Sequence, residues 1–116
     1  MSNERNVAIV GVGLIGRAWA AIFARAGWNV KITDPHAPTL EAAPSLIRDE
    51  LHALARHGLA NDPDGAAKRI SVAKSLADAL KDVAFVQENG PEKIDDKIAL
   101  FTEMDRLAAP ETILAS

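Results

Sequence analysis

The sequence predicts an α/β domain: a doubly wound parallel sheet of about five strands with helices on both faces. Three observations predict it. Apolar runs of strand length alternate with amphipathic stretches of helix length along the chain. A glycine-rich turn, Gly11-Val12-Gly13-Leu14-Ile15-Gly16, lies between the first apolar run and the first helical stretch. One acid, Asp34, closes the second apolar run.

Taken in order, the first strand is Val7-Ala8-Ile9-Val10, and the turn after it has G-x-G-x-x-G spacing in the strand-to-helix context that gives the spacing meaning. In the helix that follows, Ile15, Trp19, Ile22, Phe23 and Ala26 recur at helical spacing, and Gly27 suits a left-handed cap. Val30 to Thr33 form the second strand and deliver Asp34 at its carboxyl end. Pro35, His36 and Pro38 keep the next connection out of helix, and Thr39 is placed to cap a helix with a stripe at Leu40, Ala43, Ile47, Leu51 and Leu54. Pro44 is tolerable only near a first turn, so the regular part is expected from Ser45, with Gly58 as its cap. Asn61-Asp62-Pro63-Asp64-Gly65 reads as a turn between the two halves of the domain.

Ile70 to Ala73 is a short strand, and Ser75 with Asp78 makes a capping-box-like start for a helix from Leu76 to Lys81. Val83 to Val86 is a near-continuous apolar strand, which suits a parallel strand covered on both faces. The loop Gln87-Glu88-Asn89-Gly90 leads to Pro91 at a first helical position. Ile94, Ile98, Phe101, Met104 and Leu107 share a face of a helix reaching about Ala109, Pro110 stops it, and Thr112 to Ala115 is the last strand. Right-handed crossovers give the order 3-2-1-4-5, with a ligand crossing the carboxyl ends where the order reverses between strands 1 and 4.

The turn's chemistry points to a dinucleotide and to a Rossmann-type sheet. Gly11 allows a sharp turn, Gly13 leaves room for a pyrophosphate against the backbone, and Gly16 permits close packing of helix and strand. Unpaired N–H groups at the helix start, aided by its dipole, face the phosphates. Asp34 accepts from the adenosine ribose hydroxyls and would repel a 2′-phosphate, which selects NAD over NADP. FAD is an alternative, because Gly16 followed by Ala20 also suits flavoproteins.

Composition narrows the rest. The chain has 116 residues, 48% hydrophobic and 25% charged, which suits one globular domain. With 13 basic against 16 acidic residues and no basic block, neither nucleic acid nor an anionic membrane is an expected partner. The apolar runs are too short for a bilayer span and Met1 to Arg5 lacks the order of a signal peptide, so a cytoplasmic location is expected. Zero cysteines exclude disulfides, thiolate metal sites and cysteine nucleophiles, and no metal site is expected. Zero tyrosines exclude the Tyr-x-x-x-Lys pair of short-chain dehydrogenases.

The stretch from Val7 to Ala20, the loop Val86-Gln87-Glu88-Asn89-Gly90-Pro91-Glu92 and the end Ile113-Leu114-Ala115-Ser116 resemble the NAD-binding domain of the L-3-hydroxyacyl-CoA dehydrogenase superfamily. The similarity is greatest to its lambda-crystallin (L-gulonate 3-dehydrogenase) and carnitine dehydrogenase branch, and it covers essentially the whole chain. The resemblance implies cofactor contacts at Gly11, Val12, Gly13, Leu14, Ile15, Gly16 and Asp34, and near the nicotinamide at Glu92 and Lys97. It implies a homodimeric enzyme that oxidises a 3-hydroxy acid or 3-hydroxyacyl-CoA, with the catalytic His-Glu pair and a dimerisation domain beyond Ser116. Residues 1–116 are then the NAD-binding part and hold no catalytic residue. His36 falls on the adenosine side and His52 and His57 on the middle helix, away from the reacting end. For acyl-CoA enzymes the resemblance implies a lysine-rich helical stretch after the second strand that meets the CoA phosphates. Residues 40 to 60 carry only Arg48 and Arg56 as permanent cations, so a small polar hydroxy acid is expected over an acyl-CoA. A stand-alone, non-catalytic or structural NAD-binding protein is the alternative. An apolar edge at the last strand is expected to invite self-association.

Overall fold

The computed structural model describes residues 5–90 and 93–116. In chain order the elements are β1 (Asn6–Val10), α1 (Leu14–Arg25), β2 (Asn29–Thr33), α2 (Ala37–Arg56), α3 (Pro63–Lys68), β3 (Ile70–Val72), α4 (Leu76–Leu80), β4 (Phe85–Glu88), α5 (Ile94–Leu107) and β5 (Ile113–Ala115). The strands form one parallel sheet in the order β3-β2-β1-β4-β5. The predicted topology holds. Val10 pairs with Thr33 on one side and Glu88 on the other, so the residues that follow these three strands emerge together at one edge.

The alternation of β1 explains why both faces are covered. Val7 and Ile9 join Val30, Ile32, Ala20, Ala24, Ile47 and Leu51 in one core beneath α1 and α2. Ala8 and Val10 join Val86, Leu80, Val83 and Met104 in a second core beneath α4 and α5. A central parallel strand buried on both faces has no polar position, which is what Val7 to Val10 show.

The structure departs from the expected boundaries in ways that have physical reasons. The face that α1 buries is Gly16, Ala20, Ala21 and Ala24, whereas Ile15, Trp19 and Ile22 stay 63%, 38% and 42% exposed. Small residues let the helix approach the sheet closely. Phe23 alone of the larger set turns inward, with ring centroids 5.1 Å from Trp28 and 5.8 Å from Phe85.

The second helix starts at Ala37, with His36 at the cap position, because Pro38 sits in the first turn where backbone N–H groups are unpaired anyway. Pro44 lies inside α2 and gives up one helical hydrogen bond, while Ala43, Ile47 and Leu51 hold the helix on the core. Asp62 to Gly65 is the beginning of α3: the Gly65 N–H donates to the Asp62 carboxylate at 3.0 Å, and Pro63 takes the first helical position.

The fourth strand begins two residues later than the apolar run suggests. Gln87 and Glu88, expected in a loop, are its buried end. On α5 Met104 is buried and Phe101 and Leu107 are partly buried, but Ile94 and Ile98 are exposed. Pro91, expected to open this helix, lies outside the described residues. Gly27 and Gly58 take the positive φ expected of helix-ending glycines. Among the described residues no helix is long and apolar enough to cross a membrane.

Candidate dinucleotide site

The glycine turn is held at the sheet edge by backbone bonds to both neighbouring strands. The Gly11 N–H donates to the Thr33 carbonyl at 2.9 Å, and the Asn89 N–H donates to the Val10 carbonyl at 2.8 Å. Gly11 has φ +92°, and a side chain there would press on the backbone of Asn89 and Gly90 at 3.1 Å. Gly16 is required by the turn itself, since a Cβ would lie 1.8 Å from the Gly11 carbonyl oxygen. Gly13 differs: a Cβ there would meet nothing within 4 Å. Its open side leaves the room that the sequence reading expects a phosphate to need.

The first helical hydrogen bond of α1 runs from the Arg17 N–H to the Gly13 carbonyl at 3.0 Å. The N–H groups of Gly13, Leu14, Ile15 and Gly16 find no acceptor among the described residues, and no side chain caps this helix. Four such donors beside the positive end of a helix dipole suit a diphosphate. Leu14 and Ile15 leave their side chains exposed at the turn, while Val12 is fully buried in the core. Arg17 braces the turn from α1, with Nη1 3.5 Å from the Val12 carbonyl and Nε 3.8 Å from Glu50. Burial pushes the Glu50 carboxyl up, and the Arg17 charge offsets part of that rise.

Asp34 is where the sequence places it, and it is already tied into the turn. Its Oδ2 accepts from the Val12 N–H at 2.9 Å and its Oδ1 accepts from the His36 N–H at 2.9 Å. Each oxygen keeps acceptor capacity for a ribose hydroxyl. A cleft of about 420 Å³ beside it is lined, besides Asp34, by Val10, Gly11, Pro35, Gly90, Asp96 and Leu100. This volume falls in the range of small-molecule sites.

Across Gly90 a second cleft of about 490 Å³ begins, bounded by Ile15, Trp19, Gln87, Glu88, Lys97 and Ser116. Its polar floor is a side-chain network centred on Glu88. The Glu88 side chain is fully buried and accepts from Lys97 Nζ at 2.7 Å, from Ser116 Oγ at 2.9 Å and from the Gly90 N–H. Lys97 Nζ also donates to Ser116 Oγ at 2.9 Å. Burial raises the Glu88 pKa, but the hydrogen bonds from Lys97, Ser116 and Gly90 and the Lys97 charge outweigh it and hold the carboxyl below its usual range.

Of the sequence-predicted contacts, Gly11 to Gly16 and Asp34 meet at one edge, and Lys97 lines the cleft on the far side of Gly90. Glu92 lies outside the described residues. Glu88 and Ser116 are the residues missed; their types carry no signal until the fold brings together positions 28 apart in the chain. The histidines stay away from the second cleft: His36 bonds Thr39, His52 bonds Asp64 and His57 ends α2. Among the described residues no cluster of His, Asp and Glu is arranged to hold a metal ion.

The sequence profile of the family described as "3-hydroxyacyl-CoA dehydrogenase, NAD binding domain" matches residues 6–116. The lambda-crystallin homolog of Rattus norvegicus is 34% identical over 95% of this chain and 35% of that protein. The L-carnitine dehydrogenase of Streptomyces griseus is 39% identical over 97% of this chain and 33% of that protein. Among solved structures, (S)-3-hydroxybutyryl-CoA dehydrogenase from Ralstonia eutropha superposes with a TM-score of 0.85 at 26% identity, covering 97% of this chain and 40% of the other. The chain spans about a third of the length of the curated relatives it matches.

Proposed function

The chain belongs to the 3-hydroxyacyl-CoA dehydrogenase NAD-binding domain family, and from that premise we propose that it is the cofactor-holding part of an NAD-dependent dehydrogenase of 3-hydroxy acids. The observation that carries this reading is Asp34, fixed at the end of β2 by the Val12 N–H and still able to accept from ribose hydroxyls. NAD supplies the hydride acceptor. The free N–H groups of Gly13 to Gly16 hold its pyrophosphate, and Asp34 orients the adenosine ribose and excludes a 2′-phosphate. Lys97 has two of its three N–H donors engaged, which leaves one for the nicotinamide half. Glu92 keeps the role that the family resemblance implies for it.

Proton transfer is assigned to groups outside these residues, because none of the three histidines lines the second cleft. The substrate is a small polar hydroxy acid. Residues 40–60 carry only Arg48 and Arg56 as permanent cations, fewer than the lysine-rich stretch that the family resemblance implies for the phosphates of an acyl-CoA. The L-carnitine dehydrogenase relative supports the same class. A cytoplasmic location and a homodimeric parent enzyme belong to this reading, and cell fractionation and sedimentation of the parent protein test them.

Titration calorimetry decides the cofactor assignment: NAD binds, and NADP binds at least about tenfold more weakly. Absence of NAD binding, or a preference for NADP, would sink it. Steady turnover of a 3-hydroxy acid by these 116 residues alone would overturn the division of labour.

A further inference from the structure

Among the described residues, the charged side chains that line the second cleft are one carboxylate, Glu88, and one ammonium, Lys97, 2.7 Å apart. A fully buried carboxylate is costly unless every acceptor site is paired, and Glu88 is paired with Lys97, Ser116 and Gly90. These contacts join the end of β4, the loop after it, α5 and the end of β5, so the ammonium stands at a fixed place on the cleft wall. A nicotinamide ring carries a positive charge when oxidised and none when reduced. An uncompensated ammonium on this wall would therefore discriminate against the oxidised form alone.

We infer that Glu88 is a positioning residue that neutralises Lys97, so that the Lys97 charge does not set oxidised NAD apart from NADH at this site. The inference rests on the proposed placement of the nicotinamide half beyond Gly90. It assigns Lys97 the part of a hydrogen-bond donor, because its charge is already answered and is not available to a substrate carboxylate.

Dissociation constants of the 116-residue chain for oxidised NAD and for NADH, measured at pH 8 with a thermal melt of each variant, test it. Glu88→Gln preserves shape and removes the charge, so the ratio of the oxidised to the reduced constant rises about tenfold. Lys97→Met moves the ratio down, and the double variant returns it to within about twofold of the parent. A change in both constants by the same factor in Glu88→Gln, as a purely structural role would give, overturns the inference and leaves the NAD site standing. Binding of neither cofactor form by the unmodified chain overturns the site reading and the inference with it. If Glu88→Gln lacks a cooperative melt, Lys97→Met decides, and an unchanged or raised ratio in that variant contradicts the proposal.

Discussion

At the scale of single residues, two glycines of one motif serve different ends. A Cβ on Gly16 would meet the Gly11 carbonyl oxygen at 1.8 Å, which is backbone and cannot swing aside. Gly16→Ala is expected to lower stability in a urea titration by about 1–3 kcal/mol. Gly13→Ala has open space, so its stability stays within about 1 kcal/mol of the parent, set mainly by the change of helix-cap residue. Its NAD affinity falls about tenfold, because the new methyl group occupies the phosphate's approach. Equal melting of both variants, or full NAD affinity in Gly13→Ala, would contradict this split. Glu88 gives a pH test with a definite sign. Its folded pKa lies below its unfolded one, so its stabilising contribution is present above the ordinary glutamate pKa of about 4.3 and is lost as pH falls through the folded value. Between about pH 5 and pH 3 the parent therefore loses melting temperature more steeply than Glu88→Gln, and parallel curves would count against the assignment.

At the scale of elements, the weak points are as informative as the strong ones. Pro44 interrupts α2 six residues from its cap-proximal proline, Pro38, and Pro44→Ala restores a backbone donor. It is expected to raise stability by up to about 3 kcal/mol, and a lower urea midpoint would show that the ring's packing outweighs the missing bond. Asp62→Ala removes the cap of the six-residue α3 and lowers stability by about 1 kcal/mol. The strand order, the glycine turn and Asp34 were legible in the sequence because each is set by local chemistry: apolar runs, positive φ, and an acid at a strand end. The boundaries of α2 and α3 were less so, since proline and aspartate mark a turn and a helix start equally well. The packed face of α1 was ambiguous because large and small apolar residues both recur at helical spacing, and only the closeness of the sheet selects Ala20, Ala21 and Ala24. The Glu88 network was illegible for another reason. A polar residue ends a buried strand there only because Lys97 and Ser116, distant in sequence, answer it.

At the scale of the whole molecule, β5 is the outermost strand on its side of the sheet among the described residues, with Ile113 exposed, and Ile15, Trp19 and Ile22 stand exposed along α1. Apolar surface next to an open strand edge favours association. Size-exclusion elution of the isolated chain is expected to shift toward larger species as concentration rises, with Ile113→Lys reducing the shift; a constant monomer at high concentration would contradict it. The site itself depends on tertiary closure, since the Val12 to Asp34 bond joins residues 22 apart in the chain. That bond has an evolutionary consequence. On the proposed reading, the carboxylate that meets the ribose also braces the glycine turn through the Val12 N–H, so replacing Asp34 by a residue with no acceptor there removes both contacts together. A lineage drifting toward NADP then keeps the turn braced only where the new residue, or another group, accepts from the Val12 N–H.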